Sequence, residues 1–181
     1  MGSPSAFRAS SQPAGSLRGV LPVPFGTVFV YAERPDAITG IELSLEPSTE
    51  VSDSAEPLIA EALAQLESYF EGGFTAVNAV PVRCIGTPFQ QRVWDQLRAI
   101  TPGTTLSYGQ LAARLGSSAR AVAGACRAND FPIVIPCHRV VSEHGLGGYC
   151  GATDGPWLAV KRWLLRHEAG AISIEAGQHG R

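Results

Sequence analysis

The 181-residue chain is long enough for one ordinary domain or two small ones, and its 45% apolar and 17% charged residues exclude a disordered polymer. No apolar run approaches the roughly 20 residues of a membrane span, and residues 1–19 lack the apolar stretch of a secretory signal, so a soluble, intracellular (cytoplasmic) protein is expected. The formal charge of −2 conceals a division: residues 1–80 hold three Arg against ten acids, net −7, while residues 81–181 hold eleven bases against six acids, net +5.

Residues 1–19 are rich in Ser, Ala, Gly and Pro without periodicity and are set aside as a flexible tail. Two β-branched, aromatic-rich runs follow, Thr27 to Ala32 and Ile38 to Leu45, separated by Glu33, Arg34, Pro35 and Asp36; they predict a hairpin. Pro57 suits a first helical turn, Ile59, Leu63, Leu66 and Phe70 recur at helical spacing, and Gly72-Gly73 stops the helix. After a link over 81–86, Thr87-Pro88-Phe89-Gln90 supplies a cap, an N1 proline and a capping-box glutamine, and Phe89, Val93, Leu97 and Ile100 continue the stripe. Ser107-Tyr108-Gly109-Gln110 is a second capping box and opens a short helix through Leu115. Gly116-Ser117-Ser118 then turns the chain into a helix over Ala119 to Arg127.

Two short helices around a Gly-containing turn outline a helix-turn-helix, a pattern that ordinary helical hairpins share. The second helix is unusual in composition: Ala119, Ala121, Val122, Ala123, Gly124, Ala125 and Cys126 leave only Arg120 and Arg127 as large side chains. Such a helix can lie flat against another helix or against a nucleic-acid groove. Thirteen of the fourteen cations are Arg, which forks onto phosphate better than Lys does. A basic half suits a polyanion-binding face as well as charge exposed for solubility.

The four cysteines, Cys84, Cys126, Cys137 and Cys150, show no paired-ligand spacing, so thiols rather than disulfides or a metal cluster are expected. Most buried cysteines are inert packing residues. Cys137 differs, because residues 131–136 read as a short apolar strand that delivers Cys137-His138-Arg139, and cationic neighbours favour the reactive thiolate. Side chains alternate along a strand, so a turn at Cys137 or a bridging water is required before His138 can serve it.

The residues Ile135-Pro136-Cys137-His138-Arg139-Val140, preceded by Ser107-Tyr108, Arg120-Ala121-Val122 and Asn129 and followed by Tyr149 and a Leu-rich helix ending in Glu168, resemble the O6-alkylguanine-DNA alkyltransferases (methylated-DNA–protein-cysteine methyltransferases) over about residues 22–168. The resemblance implies an α/β fold: a ribonuclease-H-like N-terminal α/β domain over 20–80, a linker over 81–86, and a mainly helical domain over 87–170 that binds DNA and transfers the alkyl group, with 171–181 as a tail. By resemblance, Cys137 is the alkyl acceptor, and His138 and Glu168 draw off its proton through a water. Tyr108 lies near the flipped nucleotide and protonates the departing guanine. Arg120 fills the gap left by that nucleotide, and Ala119, Ala121, Gly124 and Arg127 lie with it on the DNA-binding helix. Asn129, Pro132, Val140, Tyr149, Cys150 and Gly151 belong to the substrate pocket. No cofactor is implied, because thioether formation needs none, and no metal is expected, because the zinc that some family members hold in the N-terminal domain through Cys and His would find neither residue before Cys84.

The expected activity is repair by direct reversal in a single turnover, on O6-methylguanine foremost and on O4-methylthymine as a further candidate. The expected partner is double-stranded DNA containing alkylated guanine, bound by a monomer, singly or cooperatively, with no membrane. A cysteine hydrolase built on Cys137 and His138 is one rival, against which the helix pair counts. A non-catalytic lesion sensor is the other, against which Cys137 counts.

Overall fold

The computed structural model describes residues 6–7, 17–33, 37–50, 52 and 56–178, with the backbone alone at 6–7 and 171–178. Two compact units divide the chain: Met1–Gly86 with Ala128–Val134, and Thr87–Arg127 with Ile135–Arg181.

In the first unit, β1 (Ala6–Phe7), β2 (Leu17–Val23), β3 (Gly26–Glu33) and β4 (Ala37–Ser44) form an antiparallel sheet in the order β1-β4-β3-β2. The expected hairpin is β3 and β4; its turn residues Arg34, Pro35 and Asp36 lie outside the described residues. Strand β2 corrects the tail expected over 1–19, since pairing with β3 already begins at Leu17, opposite Ala32. Gly19 and Pro22 hide this strand in the sequence, and both are tolerated because, among the described residues, β2 pairs with a strand on one side only. Gly19 is also required there: a Cβ would stand 2.9 Å from Cγ2 of Ile59. Ile59 belongs to α1 (Pro57–Phe70), which buries Ile59, Ala62, Leu66 and Tyr69.

Residues 131–136 are not the expected strand. Pro132 and Pro136 have no amide hydrogen for a ladder, and Ile133 sits at φ 76, a left-handed conformation that breaks an extended run. The preceding residues are held instead by Asp130, whose carbonyl accepts from Ile41 N at 2.8 Å, and by Asn129, whose Oδ1 accepts from Phe131 N at 3.0 Å.

The second unit contains α2 (Pro88–Arg98), β5 (Leu106–Ser107), α3 (Tyr108–Arg114), α4 (Ala119–Arg127), a 3-10 turn at Cys137–Arg139, β6 (Val140–Val141) and α5 (Pro156–Gln178). Both expected capping boxes form: Thr87 with Gln90 starts α2 and Ser107 with Gln110 starts α3. Ser118 caps α4, accepting from Ala121 N at 3.2 Å. Strand β5 pairs in parallel with β6, so the start of α3 is fixed beside the turn that carries Cys137. Trp94 of α2 donates from Nε1 to the Ala125 carbonyl at 2.9 Å and pins α4. On α5, Trp157, Val160, Lys161, Leu164 and Glu168 make one buried stripe. The helix continues past Glu168, where the sequence reading ended it, to Gln178. No helix among the described residues is long and apolar enough to cross a membrane.

Candidate active site

Cys137 opens the 3-10 turn after Pro136 and is half-buried. The turn answers the geometric difficulty of adjacent residues, since His138 and Arg139 are carried inward together, at 0% and 4% exposure. Both meet Glu168 of α5, itself fully buried. His138 Nε2 lies 2.8 Å from Glu168 Oε1. Arg139 donates from Nε to Oε2 at 3.0 Å and from Nη2 to Oε1 at 2.9 Å, and its Nη1 donates to the Ile100 carbonyl. Gly103 N donates to Oε2 at 3.1 Å.

These contacts settle the protonation states. Burial alone would raise the Glu168 carboxyl, but the hydrogen bond and charge of His138 and those of Arg139 outweigh it and hold the group well below the usual carboxylate range. Burial likewise lowers His138, against the opposing pull of Glu168. Against an ionised carboxylate, His138 Nε2 must be the donor, which leaves Nδ1 as the basic nitrogen. Nδ1 is buried and makes no hydrogen bond among the described residues. A base with its accepting atom open and its far side fixed by a carboxylate can take a proton from a nearby thiol.

A cavity of about 240 Å³ is lined by Tyr108, Ala123, Cys126, Arg127, Cys137 and residues 148–153. Tyr149 and Ala152 exchange two backbone hydrogen bonds at 2.9 Å, closing a tight turn with Cys150 at φ 49 and Gly151 at φ 78. Gly147 (φ 70) lets the loop approach Tyr108, whose Cε2 would lie 3.0 Å from an added Cβ. Burial first, and the neighbouring Cys126 and Cys137 second, raise the Tyr108 phenol, so it keeps its proton at neutral pH.

A family model described as 6-O-methylguanine DNA methyltransferase, DNA binding domain, matches residues 88–170. The methylated-DNA–protein-cysteine methyltransferase of Salmonella typhimurium is 40% identical over 141 residues, 76% of this chain and 78% of that one. The chain belongs to the methylated-DNA–protein-cysteine methyltransferase family. Among solved structures, the Mycobacterium tuberculosis O6-methylguanine methyltransferase superposes with a TM-score of 0.68 at 33% identity, covering 86% of this chain and 93% of that one. The M. tuberculosis OGT solved in complex with DNA gives 0.65 at 32% identity, covering 84% and 93%. The mixed α/β fold is thus that of methylguanine methyltransferases.

Of the site residues read from the sequence of this methyltransferase family member, Cys137, Tyr108, Arg127, Tyr149, Cys150 and Gly151 line this cavity. His138 and Glu168 are in direct contact behind it. Ala119, Arg120 and Gly124 are exposed on α4, and Ala121 is half-buried. Val140 lies in the core, paired with Leu106, rather than among the cavity-lining residues. Asn129 and Pro132 are buried and belong to the segment that packs with the first unit.

Two corrections concern charge. Arg139 is committed to Glu168, so it is not the cation that serves Cys137. That place is taken by Lys161, which the sequence reading missed although it is the only lysine in the chain and falls on the apolar stripe of α5. Fully buried, Lys161 donates to the carbonyls of Val140 at 2.6 Å and Gly148 at 2.9 Å, and Nζ stands 5.9 Å from the Tyr108 ring centroid. Burial pushes its ammonium down to about 8, while Cys137, Cys126 and Cys150 pull it back up. It remains mostly charged at pH 7.

Two outcomes are expected. Glu168→Gln should destabilise the protein by about 3–5 kcal/mol, because Arg139 is left buried without its counter-ion. Both His138 and Glu168 titrate lower in the folded state, so the stability they contribute is complete above their ordinary values of 6.5 and 4.5 and is lost on acidification. Chemical denaturation between pH 7 and 3 should show this loss below pH 6.5, steepening below 4.5 in the native protein and not in Glu168→Gln. Separately, Lys161→Met should slow the reaction of Cys137 with iodoacetamide at pH 7 several-fold, since a cation near the sulfur favours the thiolate. An unchanged rate would remove Lys161 from the site.

Proposed function

We propose that this chain repairs DNA by direct reversal, flipping an O6-alkylated guanine out of the duplex and moving its alkyl group irreversibly to Cys137. Membership of the methyltransferase family supports the reaction. The observation that carries the residue assignment is the position of Cys137 on the cavity wall, next in sequence to a histidine whose Nε2 is held by a buried carboxylate and whose Nδ1 is open. Through a bridging water, Nδ1 takes the thiol proton. The sulfur then attacks the alkyl carbon, the carbon–oxygen bond breaks, and the electron pair leaves with the guanine O6. Tyr108, which retains its proton, is suited to donate to the departing base. The product is a thioether, and the reaction has no step that restores the thiol, so each molecule acts once.

The pair α3 and α4, joined through Gly116 (φ 60), is read as a helix-turn-helix with α4 laid against the duplex. Val122 and Ala125 face the core, which leaves Ala119, Arg120, Ala123, Gly124 and Arg127 exposed. A Cβ at Gly124 would meet nothing within 4 Å, so no packing within the protein demands glycine there. A flat surface of small residues suits close approach to a minor groove, and Arg120 is long enough and permanently charged to occupy the space of a flipped nucleotide. Tyr149, Cys150 and Gly151 complete the reading as pocket residues, and Asn129, which follows α4 in the chain, as a hinge. The sheet with α1 is read as the ribonuclease-H-like N-terminal domain, and the protein as a cytoplasmic monomer working on double-stranded DNA.

Mass spectrometry after incubation with an O6-methylguanine oligonucleotide tests the reaction. The native protein should gain one methyl group on the Cys137 peptide, and Cys137→Ser should gain none while keeping its DNA affinity within a few fold. Methyl label on the serine variant would overturn the acceptor assignment. Arg120→Ala should slow transfer from a duplex by about tenfold or more and transfer from a free O6-alkylated base by less than about twofold, because only the duplex requires flipping. Equal losses on both substrates would reject the finger role.

A further inference from the structure

A chain of 181 residues holds four cysteines, and three of them, Cys126, Cys137 and Cys150, line the same cavity. All are thiols and all are half-buried. Charge couples the group: Cys126 and Cys150 both feel Cys137, and Lys161 feels all three. The proposed alkyl transfer uses only one of them.

The three thiols are not equivalent. Burial, followed by the charge of Cys137, raises both Cys126 and Cys150, so they stay protonated and are poor primary targets for an electrophile. They also differ in attachment. Cys126 sits in the last turn of α4, next to Ala125, which is buried and held by Trp94. Cys150 sits at the tip of the turn closed by Tyr149 and Ala152, at a left-handed φ of 49 that a cysteine does not favour, and Gly151, Thr153, Asp154 and Gly155 beside it are exposed. Displacing that turn costs its two backbone hydrogen bonds and the side-chain hydrogen bond between Cys150 and Tyr149, and relieves an unfavourable conformation. Displacing Cys126 requires a helix to leave its core.

We propose that the cavity is a dithiol site for hydroperoxides, in which Cys137 is oxidised and Cys150 resolves it to a reversible disulfide. With hydrogen peroxide, the Cys137 sulfur attacks one oxygen, the O–O bond breaks, and the departing hydroxide takes up the proton lost by the Cys137 thiol, so that a sulfenic acid and one water form; an organic hydroperoxide would leave as its alcohol instead. The Cys150 sulfur then attacks the Cys137 sulfur; the S–O bond breaks, and the departing hydroxide takes the thiol proton as a second water. Two thiols and one hydrogen peroxide thus give one disulfide and two waters. Although protonated at rest, a thiol of high pKa is intrinsically nucleophilic, and sharing one cavity raises its effective concentration. The disulfide would draw the loop tip across the cavity, closing it to a base while protecting Cys137 from irreversible over-oxidation. The functional consequence rests on Cys137 being the alkyl acceptor; the disulfide does not.

The test uses the full chain treated with a several-fold excess of hydrogen peroxide, followed by intact mass, non-reducing peptide mapping, and methyl transfer measured before oxidation, after it, and after dithiothreitol. The native protein and Cys126→Ser should lose two hydrogens, yield a linked Cys137–Cys150 peptide pair, lose methyl transfer and recover it on reduction. Cys150→Ser, a near-isosteric change, should instead gain oxygens on Cys137 and stay inactive after dithiothreitol. Oxygen addition without a disulfide in the native protein, or a Cys126–Cys137 pair, would overturn the proposal. Absence of methyl transfer in the untreated, reduced protein would overturn the repair reading alone, since the mass and peptide pair are read independently of activity.

Discussion

The second unit is organised around one buried negative charge. A carboxylate with no exposure is tolerable only when its oxygens are filled with donors, and Glu168 receives them from His138, Arg139 and the backbone of Gly103. Those donors come from the turn after Pro136 and from the connection that follows α2, while the acceptor comes from the middle of α5. The Ile100 carbonyl takes a further arm of Arg139 and ties the end of α2 into the same knot. Three elements distant in sequence are therefore registered by a single group. The orientation of His138, and with it the side of the imidazole left open, follows from that registration rather than from the local turn alone.

The site separates two electrostatic tasks that adjacency in sequence would merge. Arg139 is planar and multidentate, and it neutralises the carboxylate. Lys161, a compact charge anchored by two carbonyls, supplies the field around the sulfurs. Burial acts on both sides of this arrangement: it lowers the cost of keeping His138 neutral and raises the cost of ionising Cys126 and Cys150. One low-dielectric environment thereby makes a base available and holds the accessory thiols in their quiet form.

Much of this was legible from local chemistry. The capping boxes at Thr87 and Ser107 and the Pro57 helix start are written in contiguous residues, and each forms as read. Strand β2 was not legible, because Gly19 and Pro22 interrupt the β pattern, and their acceptability depends on an edge position and on Ile59 from α1, both non-local facts. Residues 131–136 failed the other way: an apolar, β-branched run cannot announce that Ile133 will take a positive φ between two prolines. The site divided along the same line. The Cys137-His138 pair and Glu168 stood out through resemblance, whereas the diversion of Arg139 and the insertion of Lys161 depend on which side of a turn and which face of α5 look inward. The lysine on the apolar stripe was the available clue.

A surface furnished with guanidinium groups and no exposed side-chain amine has a practical corollary. The chain's sole lysine is walled in between α5, the Val140 carbonyl and the loop at Gly148. Acylating reagents that seek lysine amines will therefore find none exposed among the described residues of the native fold. Any acylation at Lys161 requires α5 to part from the loop, so its rate is a clock for that local opening, readable in the unmodified protein without isotopes or engineered probes.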